Sequence, residues 1–283
     1  MLGFDGFATL SVDSSLFPKF TKNVEDEARE QTLRTIADHL LRRSRDYRDL
    51  FVTRDTFLTP SLAALYGVPL PRVQELGGAV PWVRYRFPDD DPHVGLLTQV
   101  SFLALHSHPG STSPTLRGKA LRENLLCQRI PPPPGDVDFS LVQDTGNPAF
   151  KTVRQRLAVH RENPTCAACH RLTDPVGLTL EVFDVSGVYR TTENGAPIDT
   201  TGTFRGTPYA SVTELAQILR DDPTATSCLV NRAFSYGTAR LPADEEFSWL
   251  VDTRSSLIEA SVGWRDLMRR IAQYPDFYTN RVE

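Results

Sequence analysis

Methionine is scarce in this 283-residue chain: Met1 and Met268 are the two present. Thioether sulfur is therefore rarely on offer as a metal ligand. Cysteine is nearly as scarce, with four residues, too few for a disulfide scaffold in a chain of this length. Positive charge is not in excess. Lys+Arg of 31 against Asp+Glu of 35 gives a formal charge of -4, without the phosphate-neutralising surplus of a nucleic-acid binder. No stretch approaches the ~20 consecutive apolar residues of a transmembrane segment. The opening MLGFDGFATLSVDSS has no basic region followed by an apolar core, so no signal peptide is read there, and the chain is either cytosolic or the later part of something longer. What remains is soluble and globular in composition, 40% hydrophobic and 23% charged, with room for two ordinary domains.

Proline (21) outnumbers glycine (17), which predicts helices broken often by rigid turns. The fold class expected is mainly α, with one small β-hairpin. Val24 to Tyr47 reads as a single helix, with Leu33, Ile36, Ala37, Leu40 and Leu41 at helical spacing. His39 beside that stripe reads as a surface or partly packed residue. Thr59 to Tyr66 follows, with Pro60 in first position and Gly67 as a stop. The apolar run Val94 to Leu105 is a buried helix or strand that delivers His106 and His108 into a loop, and Arg117 to Cys127 is a short helix ended by Pro131 to Pro134. That tetraproline begins an extended linker. Beyond it, helices are expected at Ala149 to Arg161, Ser211 to Leu219, Ala225 to Tyr236, Asp244 to Ala260 and Gly263 to Gln273. The clearest β signal is the pair of short runs flanking Asn194-Gly195.

Cys166-Ala167-Ala168-Cys169-His170 is the C-x-x-C-H pattern of covalent c-type haem attachment. Two thiols about one helical turn apart can add to the two haem vinyl groups, and a histidine directly after the second can reach the iron. Chance would produce the pattern in roughly one chain of this composition in a thousand. Three other chemistries use similar residues. A thioredoxin-like pair would open a helix after a buried strand. Zinc would take Cys166, Cys169 and His160 with one more ligand. The pair can also close a disulfide on itself. For a haem, the sixth iron ligand is Met268, His160, His106 or His108, or the position is open.

Cys127 and Cys228 stand apart from this motif. Each lies at a helix end, and the expectation is a disulfide closing a loop of about 100 residues, for which the chain-entropy model gives roughly 4.7 kcal/mol. The alternative is two unrelated buried thiols.

Several segments resemble the carboxy-terminal half of planctomycete-type bacterial cytochrome c proteins, where domains of unknown function numbered 1592, 1588 and 1585 follow one another. The long helix followed by DTFLTPSLAALYGVP is similar to the end of the first. GLLTQVSFLALHSHPGSTSPTLRGKALRENLLCQRIPPPPGDVD and RLAVHRENPTCAACHRLTDPVGLTLEVFDVSGVYR are similar to the second, and the helices from Ser211 to the third. The resemblance implies a fold of cytochrome c-like helical domains, three of them, at 1–92, 93–190 and 191–283. It implies covalent haem c on Cys166 and Cys169 with His170 as proximal ligand, and structural roles for His160, Asp174, Pro175, Gly177, Glu181, Phe183, Asp184 and Gly187. Thr173 departs from it, since many relatives carry methionine there; a residue three past His170 reads as packing. The resemblance also implies an exported protein in the periplasm or another extracytoplasmic compartment.

The function expected is an electron-transfer module working with a redox partner protein or further domains of a longer chain. The alternative is a non-catalytic scaffold domain of an exported complex, linked to polysaccharide handling, with a structural haem or zinc. An independent hydrolase is disfavoured, as no G-x-S-x-G, H-E-x-x-H or P-loop run occurs.

Overall fold

Residues 2–69, 82–132, 144–162, 164–260 and 263–278 are described by a computed structural model. The protein is mainly α-helical, and its β structure consists of two-stranded antiparallel pairs. Among the described residues no helix is long and apolar enough to cross a membrane.

Helix α1 (Lys22–Ala37) starts where the Thr21 hydroxyl accepts a hydrogen bond from Val24 N. The single helix expected to Tyr47 stops early. One π turn, Asp38–Arg42, follows, and the chain reverses at Ser44, whose φ is 49°. The cause is tertiary. Asp38 is buried and paired with Arg43 at 3.0 Å and with Arg84 at 2.5 Å, and Arg84 belongs to strand β2 (Val83–Arg86), which pairs with β1 (Asp55–Leu58). The expected stripe is buried only in part, with Leu40 in the core and Ile36 packed against it, and the inward face of α1 is largely formed by other residues. Gln31, Thr32 and Thr35 are buried while Leu33 and Leu41 are exposed. Polar side chains can face inward because they are satisfied there: Gln31 donates to Thr56 Oγ1 (3.0 Å), Tyr66 donates to Gln31 Oε1 (3.1 Å), and Thr32 donates to Gln99 Oε1 (2.5 Å). His39 is buried too, its Nε2 lying 2.8 Å from the Asp46 carbonyl, and burial holds its pKa low.

Helix α2 (Pro60–Tyr66) has the Thr59 cap, first-position proline and left-handed Gly67 stop that its sequence dictates. The run to Leu105 becomes a 3-10 turn and α3 (Val100–Leu105), largely buried. A hairpin of β3 (Ser107–His108) and β4 (Ser111–Thr112) leads into α4 (Pro114–Ala120). This helix begins three residues before the expected Arg117, because Ser113 caps it and Pro114 suits its first position. A π turn, Leu121–Leu125, carries it to Cys127. Most of the expected polyproline linker, 133–143, lies outside the described residues.

Helix α5 (Val153–His160) is opened by a Thr152/Gln155 capping box. Helix α6 (Pro164–Thr179) carries the cysteine pair and was not among the elements its periodicity predicts, since Pro175 and Gly177 disfavour helix interiors. Packing overrides that preference. Two hairpins come next, β5–β6 (Thr192–Glu193, Ala196–Pro197) and β7–β8 (Gly202–Phe204, Thr207–Tyr209). Asn194-Gly195 and Arg205-Gly206 turn them with positive φ at both positions, the two-residue loop whose twist matches the strands. Four helices end the described chain: α7 (Val212–Asp221), α8 (Pro223–Thr238), α9 (Phe247–Ala260) and α10 (Trp264–Ala272).

Three main core clusters form. One joins Leu103, Leu121 and Leu126 to Val176, Leu180 and Phe183, and onward to Phe204, Leu215 and Leu219. A second packs Val24 and Ala28 of α1 on Leu58, Leu62 and Leu65. The third sets Leu40, Tyr47 and Leu50 against Val230, Phe234, Leu257 and Leu267. A disulfide joins Cys127 to Cys228 with a Cα separation of 5.2 Å, well inside the span such a bond permits, so these residues are not two unrelated thiols.

Candidate functional site

The site is built on the crossing of α4 and α6. At Gly118 an added Cβ would lie 1.9 Å from the Thr173 carbonyl oxygen, and at Gly177 one would lie 1.8 Å from that of Pro114. Only residues without a side chain let two helix backbones approach so closely. The crossing brings Thr115 of α4 onto the histidine of the motif.

Cys166 and Cys169 are free thiols, half-buried, one turn apart in the first half of α6. His170 follows with its side chain 12% exposed. Its Nδ1 lies 3.0 and 2.9 Å from the two oxygens of Asp174, which is fully buried. A carboxylate can only accept, so Nδ1 carries the proton and donates. Thr115 Oγ1 donates to Asp174 Oδ1 (3.0 Å), as does Thr173 Oγ1 (3.2 Å). Thr173, expected to serve in packing, is thus a buried polar contact of the site. Leu116 and Leu172 are among the exposed large apolar side chains, one beside Thr115 and one two residues after His170.

The other expected ligands are dispersed. Met268 belongs to the third core cluster, which includes no residue of α6. His108 is exposed at the β3–β4 hairpin. His106 stacks edge-on against Phe102 at 4.8 Å, its Nε2 is buried without a hydrogen bond, and burial, reinforced by the Arg117 charge, pulls its pKa down to about 4. Arg117 holds this loop through Ser107 Oγ (3.2 Å) and at the same time donates to the Leu180 carbonyl (2.8 Å). Leu180 is ten residues beyond His170, roughly 15 Å of helix rise. The His160 side chain lies outside the described residues. Among the described residues no group of three or more His, Cys, Asp or Glu is gathered as a metal cage. A cleft of about 610 Å³ between α5, α6 and β7–β8 includes Pro175, Leu178 and Tyr209. By helical rotation, Pro175 points away from His170, so that cleft is separate from the thiols.

The remaining motif residues have definite places. Pro175 lies within α6, and its carbonyl accepts from the Tyr209 hydroxyl (2.8 Å). Glu181 is buried and accepts from Arg190 (3.0 Å) and Thr112; burial raises its pKa against the pull of Arg117 and Arg190. Phe183 is core. Asp184 Oδ1 accepts from Ser186 Oγ and Val188 N, and Gly187 turns the chain with φ of 85°. Asp174 could have been placed beside His170 had this helix been predicted, since four residues apart in a helix means one face. Thr115 had no such signal, because it arrives from another helix.

Residues 93–193 match the family model PSCyt3, a protein of unknown function (DUF1588), and residues 1–68 match PSD4, likewise a protein of unknown function (DUF1592). The whole of α6 and α4 lies within the first match. No curated protein matches the chain, and no solved structure matches it.

Proposed function

We propose that this chain binds one c-type haem through Cys166 and Cys169, with His170 on the iron, and serves as an electron-transfer module of a larger exported protein. The observation that carries this reading is the placement of two free, half-buried thiols one turn apart beside an imidazole whose Nδ1 is already held by a buried carboxylate. The donor set fits the group. Both thiols are available for thioether bonds, Nε2 is the ring nitrogen for the iron, and Leu116 and Leu172 offer apolar surface on the same two helices. A bound haem supplies a one-electron couple. The chain's own residues attach it, orient the axial ligand and limit its contact with water.

The helix α5 ahead of the cysteines, where a thioredoxin-like pair would have a strand, also favours haem. The Cys127–Cys228 bridge supports an oxidising, extracytoplasmic compartment, where c-type haem is attached. In this reading the segments 1–92, 93–190 and 191–283 are the 1592-like, 1588-like and 1585-like parts of the longer protein. The sixth ligand position is open or taken by His160, and the electrons pass to a redox partner or a neighbouring domain.

The test is expression in a host with haem-attachment machinery, followed by haem staining after denaturing electrophoresis and a reduced-minus-oxidised spectrum. Covalent haem in the native chain and none in the Cys166→Ala/Cys169→Ala variant is the expected result. A native chain without haem, or a double variant that keeps it, overturns the proposal.

A further inference from the structure

We infer that Asp174 is a positioning residue of the iron site, which fixes His170 in the Nδ1–H tautomer, turns Nε2 toward the iron and lowers the reduction potential by adding negative charge behind the ligand. This rests on the haem reading above.

The geometry is that of a carboxylate set behind a metal-binding imidazole. Both Asp174 oxygens lie within 3.0 Å of Nδ1. Such a partner orients the ring and raises the basicity of the coordinating nitrogen. Asp174 is fully buried, and among the described residues no Lys or Arg pairs with it, so its charge is directed to the imidazole. Electron donation through a more basic ligand favours the higher-charged ferric state over the ferrous. Thr115 and Thr173 moderate the effect, since each hydroxyl that donates to Oδ1 withdraws part of the charge His170 would otherwise receive. Thr115 is therefore a tuning contact delivered by α4, and the Gly118–Gly177 crossing sets how close it comes.

The experiment is a spectroelectrochemical titration of the haem-loaded full chain as native, Asp174→Asn and Thr115→Val forms, with a ring-nitrogen NMR measurement on His170 in the unloaded native chain. Asp174→Asn is expected to shift the reduction equilibrium toward ferrous by about tenfold or more, each tenfold being about 59 mV for one electron. Thr115→Val is expected to shift it the other way by a smaller factor. A role in packing alone would not give opposite signs. The inference is overturned if Asp174→Asn stays within about threefold of native, a bound well below that expected for such partners, or if both variants shift in the same direction. Should Asp174→Asn fail to fold, the sign of the Thr115→Val shift decides. If the native chain carries no covalent haem, the proposed function fails by itself. The NMR result still tests the placement of the proton: Nδ1–H is expected, and an Nε2–H tautomer overturns it.

Discussion

The two ends of α6 are built from the same helix pair and do opposite things. At the amino-terminal end, the thiols are half-buried, the imidazole is 12% exposed, and His170 and Thr115 both donate to the buried Asp174 carboxylate. Past the carboxy-terminal end, Arg117 is fully buried and gathers the chain around itself, donating to the carbonyls of Leu180, Phe183 and Asp184 at 2.8, 2.8 and 2.9 Å. Burial lowers its pKa to about 10, so it stays charged at neutral pH. Glu181 lies 3.6 Å away to balance it. A site can thus keep its thiols accessible when the rigidity that aims its side chains is supplied nearly three helical turns away.

The largest effect is expected at the closed end. Arg117→Met strips three carbonyls of their donor and leaves Glu181 short of a partner, at a cost of about 3–5 kcal/mol in urea unfolding. A loss below about 1 kcal/mol, the scale of a surface ion pair, would mean the buried cluster does not brace the crossing.

The second is a pH dependence from the same region. His106 titrates near 4 when folded and at its ordinary 6.5 when unfolded. Between those values the unfolded chain takes up a proton that the native state excludes. Stability therefore falls as pH drops from 6.5 toward 4, by about 3 kcal/mol at the lower end, with no contribution above 6.5. In His106→Leu this part of the slope should vanish. An unchanged difference between pH 7.5 and pH 4.5 would refute it.

Third, the Cys127–Cys228 bridge ties the π turn after α4 to α8 across 101 residues. Replacing both cysteines with serine should cost about 2–4 kcal/mol, while covalent haem content at the open end is retained. Loss of haem along with stability would show that the two ends are not separable. Finally, Gly118→Ala drives a methyl into the Thr173 carbonyl and should cost about 1–3 kcal/mol by overpacking. It should also loosen the Thr115 contact, read as a change in reduction potential. Calorimetry showing an unchanged Tm would place the helices farther apart than described.

Local signals were legible at several points where one or two residues decide the backbone, though the Ser113-Pro114 start of α4 and the Arg205-Gly206 turn were not read. Thr59, Pro60 and Gly67 bracket α2, and Asn194-Gly195 turns a hairpin, because capping and positive φ are properties of the residues themselves. The C-x-x-C-H spacing was legible because bonding chemistry constrains it, and the pairing of Cys127 with Cys228 because they are the two cysteines left outside that motif, each expected at a helix end. The burial of α1 was not. The leucine stripe suggests one face, and Leu40 does reach the core, yet the inward face of α1 also includes Gln31, Thr32 and Thr35, because their partners Thr56, Gln99 and Ser101 come from distant segments.

Residue order alone was enough for the chemistry available at residues 166–170, the helical character of most of the chain and some of its turns, such as Gly67 and Asn194-Gly195. Tertiary structure alone decided that α6 runs unbroken through Pro175, that Arg117 is buried, and that Thr115 meets the Asp174–His170 pair. The physical reason is that helix propensities and capping are worth at most a few kcal/mol per site and act over one or two turns. A backbone crossing at two glycines and a buried guanidinium that donates to three carbonyls depend on what another segment brings within about 3 Å, and no local pattern encodes that.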